Sequence, residues 1–429
     1  MSLVKTSVLN GIAVLVKMVT LFGLNKVLAV YVGPAGYAAI GQLQNALTMI
    51  TTLSSGAVNT GVTKYTAEYA EDLTRQSRVW HSASALALTG SLIVAGLVAV
   101  FSGKLAEYFF HDRAFRGVFL WVAVSLIFFT FNALLLAILN GRKEIARFVA
   151  SNIVGSLVSL AVTATLAYAY GLYGALISIG ICQAIIFFAT VFVCRKAEWL
   201  KPRLLFGRWE SAILRDLGKF AAMAVTTAVC LPVAQVLIRN HLIQNFGVEA
   251  AGYWEAIWRL SSAYLMMVTM TLSVYYLPRL SELKGVRAIF QEVRYGYLLI
   301  LPLAIVCSIA VYLMRDFIIQ LLFTRDFLPM RELFAWQLIG DVMKVGSWIL
   351  AFVMLGKAMY KLYIFSEIVF AALFYGLTVW FTKDYGLEGV VKAYAVNYFI
   401  YWIIMAVGVA VALGRSARGQ QVGEGHQGG

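Results

Sequence analysis

From Ser7 to Leu413 the chain is a succession of apolar runs, broken by glycine, proline and clusters of charge. Each run is about the length, ~20 residues, that carries an α-helix across the hydrocarbon of a bilayer. Cutting at those breaks predicts twelve transmembrane helices, over 7–32, 37–68, 80–101, 117–140, 148–170, 174–194, 218–240, 250–278, 295–314, 332–355, 362–382 and 389–413. The longest connection, 196–217, carries Trp199 and Trp209 among basic residues, the pattern of an amphipathic segment resting on lipid headgroups. The stretch after Gly414 is rich in Gly and Gln and is expected to be disordered. The apolar N-terminal run contains no small-residue cleavage site and reads as a first span rather than a removed signal.

The pattern repeats. RGVFLW at Arg116–Trp121 matches RELFAW at Arg331–Trp336, and YGLYG at Tyr170–Gly174 matches YGLEG at Tyr385–Gly389, both at an offset of 215. Gly141 with Gly356 and Ser151 with Ser366 share that offset, and VGPAGY ending at Tyr37 matches FGVEAAGY ending at Tyr253 at 216. The chain therefore reads as a six-helix lobe over 1–195, a linker over 196–217, a second six-helix lobe over 218–413 and a tail over 414–429. Six is even, so the lobes insert the same way up, related by a pseudo-two-fold axis along the membrane normal. Carriers that alternate access by rocking share that geometry.

Composition agrees and adds direction. The chain is 61% hydrophobic and 13% charged, where a soluble domain has about 45–50% and about 25%, so a water-soluble fold is excluded. Of 35 Lys and Arg, 21 fall on the side that holds both termini, 9 on the other and five inside spans, which makes both termini cytoplasmic. The net charge of +14 then belongs to cytoplasmic loops and anionic lipid, with no nucleic-acid partner implied. Cys182, Cys194, Cys230 and Cys307 lie in or beside apolar runs without Cys-x-x-Cys spacing and read as buried thiols, so no metal site is expected.

The chemistry is sought in the embedded charges Lys17, Lys26, Lys64, Arg259 and Lys344. An ion at mid-membrane costs roughly 2.5–3.5 kcal/mol, so each must face water or a partner. Lys17 shares a helix face with Thr6, Asn10 and Thr20, as a wetted stripe requires. Gln42, Asn45, Thr52, Asn59 and Thr63 form a similar strip on the second span, and Glu255, Arg259, Ser262, Thr269 and Ser273 on the eighth. The alternative is hydrogen-bonding glue between helices. Glu255 with Arg259 and Asp341 with Lys344 are spaced to neutralise each other, and Lys26, Lys64 and Arg239 fit interfacial anchors as well as cavity cations. The aromatics Tyr65, Trp254, Trp258, Tyr264, Tyr275 and Tyr276 stack on sugars or, the favoured reading, form interfacial belts.

Surplus cations with amides and hydroxyls suit a cargo of diphosphate and sugar. At this point GVTKY at Gly61–Tyr65, SVYYLPRLS at Ser273–Ser281 and LFAWQLIGDVMKVG at Leu333–Gly346 are similar to the polysaccharide flippases of the Wzx type, a likeness that runs to about residue 413. The resemblance implies the MATE-like fold of the multidrug/oligosaccharidyl-lipid/polysaccharide (MOP) exporters, with a cavity formed mainly by spans 1, 2, 7 and 8. It implies translocation of an undecaprenyl-diphosphate-linked oligosaccharide, a common-antigen or O-antigen unit, across a bacterial inner membrane. Other polysaccharide-assembly membrane proteins are implied as partners. On this resemblance Lys17, Lys26 and Lys64 are the cavity cations, while Asp341 and Lys344 are an acid/base pair for ion coupling or structure. The charged Glu255 and Arg259 depart from the common-antigen pattern and point to a different glycan. Nucleotide-binding and hydrolase motifs are absent, so transport runs downhill or on a proton or sodium gradient, with no cofactor and no catalytic residue. An ion-coupled exporter of a small anionic or amphipathic molecule on the same fold is the alternative.

Overall fold

The computed structural model of the 429-residue chain describes residues 3–55, 59–272, 276, 279–280, 283, 285–356 and 360–425. Among them every regular element is a helix. The chain divides by compactness into two units, Met1–Val236 with Leu322–Thr324, and Leu237–Leu321 with Arg325–Gly429.

The first unit opens with α1 (Leu3–Ser54), which holds two helical rods joined at Gly33, φ 67° and ψ −175°. A left-handed φ of this kind suits a residue without a Cβ, and Pro34 then begins the second rod, where its missing N–H loses nothing. The predicted second span, 37–68, is not one helix. It stops at Ser54, and α2 (Asn59–Glu68) is separate, with 56–58 outside the described residues. The hydroxyls of Ser54 and Ser55 bond to the carbonyls of Thr51 (2.9 Å) and Thr52 (3.2 Å) in the last turn. Helix α3 (Leu73–Val100) follows, its first turn capped by Asp72, which accepts from the Arg75 N–H at 3.0 Å. Next come the short α4 (Ser102–Phe110), a 3₁₀ turn at Arg113–Phe115, α5 (Arg116–Gly141) and α6 (Ile145–Cys194). Like α1, α6 is two rods, hinged at Gly171 with φ 56°.

The polar turn between α5 and α6 ties this end of the unit together. Glu144 accepts from Arg142 (3.2 Å), from the Trp199 indole (2.8 Å) and, in a short contact, from Arg147. Arg142 also donates to Gln76 (2.7 Å), which bonds to the Thr66 carbonyl of α2 (2.8 Å). Trp199 is buried with Trp80, Ile138 and Leu217 in the core, so of the two tryptophans expected at the headgroups one is anchored in protein and the other, Trp209, is exposed. The hydrogen bond from its indole to Glu144 explains why an aromatic from a connecting segment is drawn inward. Burial alone would raise the Glu144 pKa, but Arg147, Arg142 and Trp199 outweigh it and hold the carboxyl below its usual value. Because the folded pKa is depressed, the stabilisation is complete above the unfolded value and lost as pH falls through the folded one. Wild type should therefore lose more thermal stability than Glu144→Gln on acidification below about pH 4.5. Equal acid sensitivity of the two would remove Glu144 from the account.

Helix α8 (Ser211–Phe246) follows the short α7 (Pro202–Leu205) and enters the second unit, which continues with α9 (Val248–Thr271) after Gly247, φ 89°. Then come α10 (Val286–Leu313), the short α11 (Arg315–Leu322), a 3₁₀ stretch at Arg325–Leu333, α12 (Phe334–Gly356), α13 (Tyr360–Tyr385) and α14 (Glu388–Gly425). The last helix thus runs on past Gly414, through a Ser/Ala/Arg/Gln stretch whose residues extend an already nucleated helix readily. The core gathers Ile289, Ile349, Val353, Phe370, Tyr401 and Met405. The order long helix, short helix, 3₁₀ turn, long helix occurs in both units, and in each the first long helix packs on the second.

Among the described residues eight helices are long and apolar enough to cross a membrane. Two of them, Gly11–Ser54 with 44 residues and Ile145–Cys194 with 50, exceed one ~30 Å crossing by about twofold and are the two with internal left-handed glycines. None of the four cysteines is in a disulfide. Cys182 and Cys194 are buried and Cys230 is half-buried, but Cys307 is exposed on α10, contrary to the reading of four buried thiols. It falls on the outward face of an apolar helix, where composition alone does not distinguish inside from outside.

Candidate functional site: a polar cleft and two buried charge networks

The first unit contains a cleft of about 260 Å³ lined by Lys17, Thr20, Asn132, Ser151, Asn152 and Gln183, with apolar neighbours. It draws on α1, α5 and both rods of α6. Lys17 is exposed at it, one turn from Thr20, whose hydroxyl turns back to the Val16 carbonyl at 2.9 Å. Asn132 and Ser151 are buried, and among the described residues the Asn132 Oδ1 and the Ser151 Oγ have no hydrogen-bond partner. A buried amide oxygen and a hydroxyl left unmatched beside a fixed ammonium form a site for a hydrated or hydroxylated anion. Sequence reasoning found Lys17 and Thr20. It missed Asn132, Ser151, Asn152 and Gln183, whose only signal was polarity inside apolar runs on separate helices.

The other candidates in this unit lie elsewhere. Lys26 donates to the Phe323 carbonyl at 2.6 Å, a backbone partner that satisfies its ammonium. Lys64 is exposed with its Nζ 5.2 Å from the Tyr65 ring centroid. Gln42 and Asn45 are buried, Asn59 is half-buried, and the Thr63 hydroxyl bonds to the Ala137 carbonyl at 3.2 Å. Of that strip, Gln42 and Asn45 are buried and the Thr63 hydroxyl is bonded, but the Asn45 Nδ2 has no hydrogen-bond partner among the described residues, and the helix bearing the strip ends at Ser54, the remainder belonging to α2.

In the second unit Glu255 is shared between two arginines, Arg239 Nη2 at 2.5 Å and Arg259 Nε at 2.8 Å. The pairing of Glu255 with Arg259 matches its spacing. Arg239 is not an interfacial anchor. It is 1% exposed, one of the largest fully buried side chains, with its guanidinium 5.4 Å from the Trp254 ring. The turn at Gly247 folds α9 back beside α8 and brings Glu255 to it.

Asp341 and Lys344, four-fifths of a turn apart on α12, do not form an ion pair among the described residues. Asp341 accepts from the hydroxyls of Ser261 (2.7 Å), Tyr394 (2.8 Å) and, in a short contact, Tyr264. Lys344 sits instead among aromatic rings. Of the aromatics read as belts, Trp254 and Tyr276 are buried, Trp258 and Tyr264 are half-buried within these networks, and Tyr275 lies outside the described residues, as does Ser273. Among the described residues no cluster of His, Cys, Asp or Glu is spaced to hold a metal ion.

Kinked apolar helices with buried polar groups between them make up this fold, and solved structures place it. An inward-facing multidrug resistance MATE family transporter of the MOP superfamily aligns with a TM-score of 0.75 at 14% identity, covering 93% of this chain and 95% of that one. The outward-facing conformation of such a transporter aligns at 0.65 and 13%, covering 95% and 96%. The fold is therefore that of the MOP superfamily.

Sequence comparison narrows it. The model of the family described as "Polysaccharide biosynthesis protein" matches residues 27–332. Two curated relatives, each named "Lipid III flippase", from Escherichia coli (strain K12) and Shigella flexneri, are each 32% identical over 403 residues, 94% of this chain and 97% of theirs. The chain belongs to the polysaccharide biosynthesis protein family, as a Wzx-type flippase.

Proposed function

We propose that the protein carries an undecaprenyl-diphosphate-linked oligosaccharide from the cytoplasmic to the periplasmic leaflet of a bacterial inner membrane, with both termini cytoplasmic. The observation that carries this reading is Lys17 standing exposed beside the unmatched Asn132 and Ser151 in the cleft of the first unit. An ammonium there stabilises a phosphate, and the amide and hydroxyl meet sugar hydroxyls, while the polyprenyl chain stays in lipid.

Twelve spans in two six-helix lobes accompany the proposal. Counting each long kinked helix twice and adding α8 and α9 turns the eight apolar helices into twelve. Left-handed glycines support the duplication, since Gly33 and Gly247 close the first pair of spans in each half and Gly171 and Gly386 the last pair. With no nucleotide motif in the sequence, transport on this reading runs downhill or on a proton or sodium gradient. The MATE-like fold favours one second reading, an ion-coupled exporter of a small anionic or amphipathic molecule.

Complementation separates the two. In a strain lacking its lipid III flippase, scored for surface glycan, the wild-type gene should restore the glycan. Lys17→Ala should cut it about tenfold or more, the worth of one charge-assisted contact, and Lys17→Glu should abolish it. Cys307→Ala, on the exposed face of α10, should behave as wild type. Full restoration by Lys17→Glu would falsify the assignment of the cleft. No restoration by wild type or any variant, with export of a small anion intact, would favour the second reading.

A further inference from the structure

Lys344 presents an unusual surrounding for a cation at this depth. It is 9% exposed, and its Nζ lies 5.1 Å from the ring centroids of Trp258, Trp348 and Tyr398 and 5.6 Å from that of Tyr394. Those rings come from three helices, α9, α12 and α14, and all belong to the second unit. The box is itself packed: Trp258 meets Tyr394 edge-on at 5.4 Å and stacks on Phe374 at 6.3 Å, and Tyr394 meets Tyr398 at 4.9 Å.

The usual partner of such a lysine is a carboxylate at salt-bridge distance. Among the described residues Lys344 has none, because the nearest candidate along its own helix, Asp341, is occupied by the hydroxyls of Ser261, Tyr264 and Tyr394. Asp341 and Glu367 act on the ammonium electrostatically from outside that distance. Four rings with their negative faces available and two carboxylates behind them form a receptor for alkylammonium ions, the arrangement by which proteins recognise organic cations.

We propose that Lys344 is the built-in occupant of this box, a tethered alkylammonium that fills an organic-cation site and so keeps that class of compound out of the second unit. Lys344 is on this account a specificity-determining residue. The box thus carries its own cation where a foreign one would otherwise bind, which bars organic cations from it. The inference rests on the second unit alone and is independent of the Lys17 cleft.

Removing the side chain opens the box. Lys344→Ala, purified in detergent, is titrated with propylammonium chloride, which replaces the severed end of the lysine, and with tetramethylammonium chloride. Sodium chloride and 1-propanol serve as controls for ionic strength and simple cavity filling. The expected result is a saturable rise in Tm of about 3–5 °C with the alkylammonium salts alone, at about a hundredfold excess over Kd. Wild type, whose box is full, should not respond. A rise equally large with sodium or 1-propanol, or no rise, overturns the proposal. Lys344→Met, which keeps the volume and drops the charge, guards against a failure of the alanine variant to fold. It should melt several degrees below both wild type and Lys344→Arg, and a Lys344→Met protein as stable as wild type is equally fatal to the idea.

Discussion

Glu255→Ala is expected to lower the stability of the second unit by about 3–5 kcal/mol, more than any other single removal of a side-chain charge in the protein. The carboxylate is 4% exposed and stands between Arg239, itself 1% exposed, and Arg259, 13% exposed. Without it two guanidiniums remain at close quarters, one of them wholly removed from water and 5.4 Å from the Trp254 ring. The penalty is the desolvation of buried charge that has lost its carboxylate rather than the worth of the two hydrogen bonds to it. Glu255→Gln retains an acceptor and should lose less. Changing Arg239, Glu255 and Arg259 together to Met removes every member of the triad and should recover most of the stability, since replacing a whole buried ion cluster with apolar volume is close to neutral. Thermal unfolding in detergent reads all three. If Glu255→Ala melts within a degree or so of wild type, the triad is not a desolvated unit.

The second large effect is backbone against backbone. Gly174→Ala would place its Cβ 2.0 Å from the Leu166 carbonyl oxygen, and Gly389→Ala would place its Cβ 2.5 Å from the Phe381 carbonyl. Each glycine lies three residues beyond a left-handed one, Gly171 at φ 56° and Gly386 at φ 57°, where the chain turns from one span into the next. Main-chain atoms cannot swing aside as a flexible side chain does, so the two helices of each pair must part. Either alanine should cost about 3 kcal/mol, at the upper end of ordinary overpacking, and reduce the folded yield in the membrane. Gly171→Ala and Gly386→Ala, which strain only the dihedral, should cost about 1–2 kcal/mol. Equal losses in the two halves are part of the expectation, and a neutral Gly389→Ala alongside a damaging Gly174→Ala would argue that the second turn is built differently.

This pair of turns shows how far the repeat was legible. YGLYG and YGLEG are alike because both perform the same tight reversal, in which the first glycine supplies a left-handed φ and the second the room for a crossing backbone. A string match at one offset is enough to find them, since the constraint lies within a few residues. The break at Ser54 was less visible. Apolar periodicity continues to Glu68, whereas the helix ends at Ser54, whose carbonyl packs against Gly90 of α3, a contact between helices that the pattern of one run does not show.

The charges divide the same way. Spacing along one helix was enough for Glu255 with Arg259, four residues apart. It misled for Asp341 with Lys344, because three hydroxyls brought from α9 and α14 bind the carboxylate more closely than the lysine beside it does. It was silent on Arg239, whose partner lies across a helical turn, and on Asn132 and Ser151, which meet Lys17 only when α1, α5 and α6 are packed.

The sequence by itself determined that the chain is a helical membrane protein, and it predicted where helices begin and turn, a duplicated architecture and a set of cations within apolar runs. All of these depend on apolar length, on glycine or on charge counted over a few turns, quantities local to the chain. Only the tertiary structure decided which embedded charge is neutralised by a carboxylate, which by a backbone carbonyl and which by aromatic rings, and which polar groups are left unmatched. Those outcomes depend on side chains from different helices arriving within about 3 to 6 Å of one another, and nothing in the period or composition of a single helix specifies what its neighbour will present.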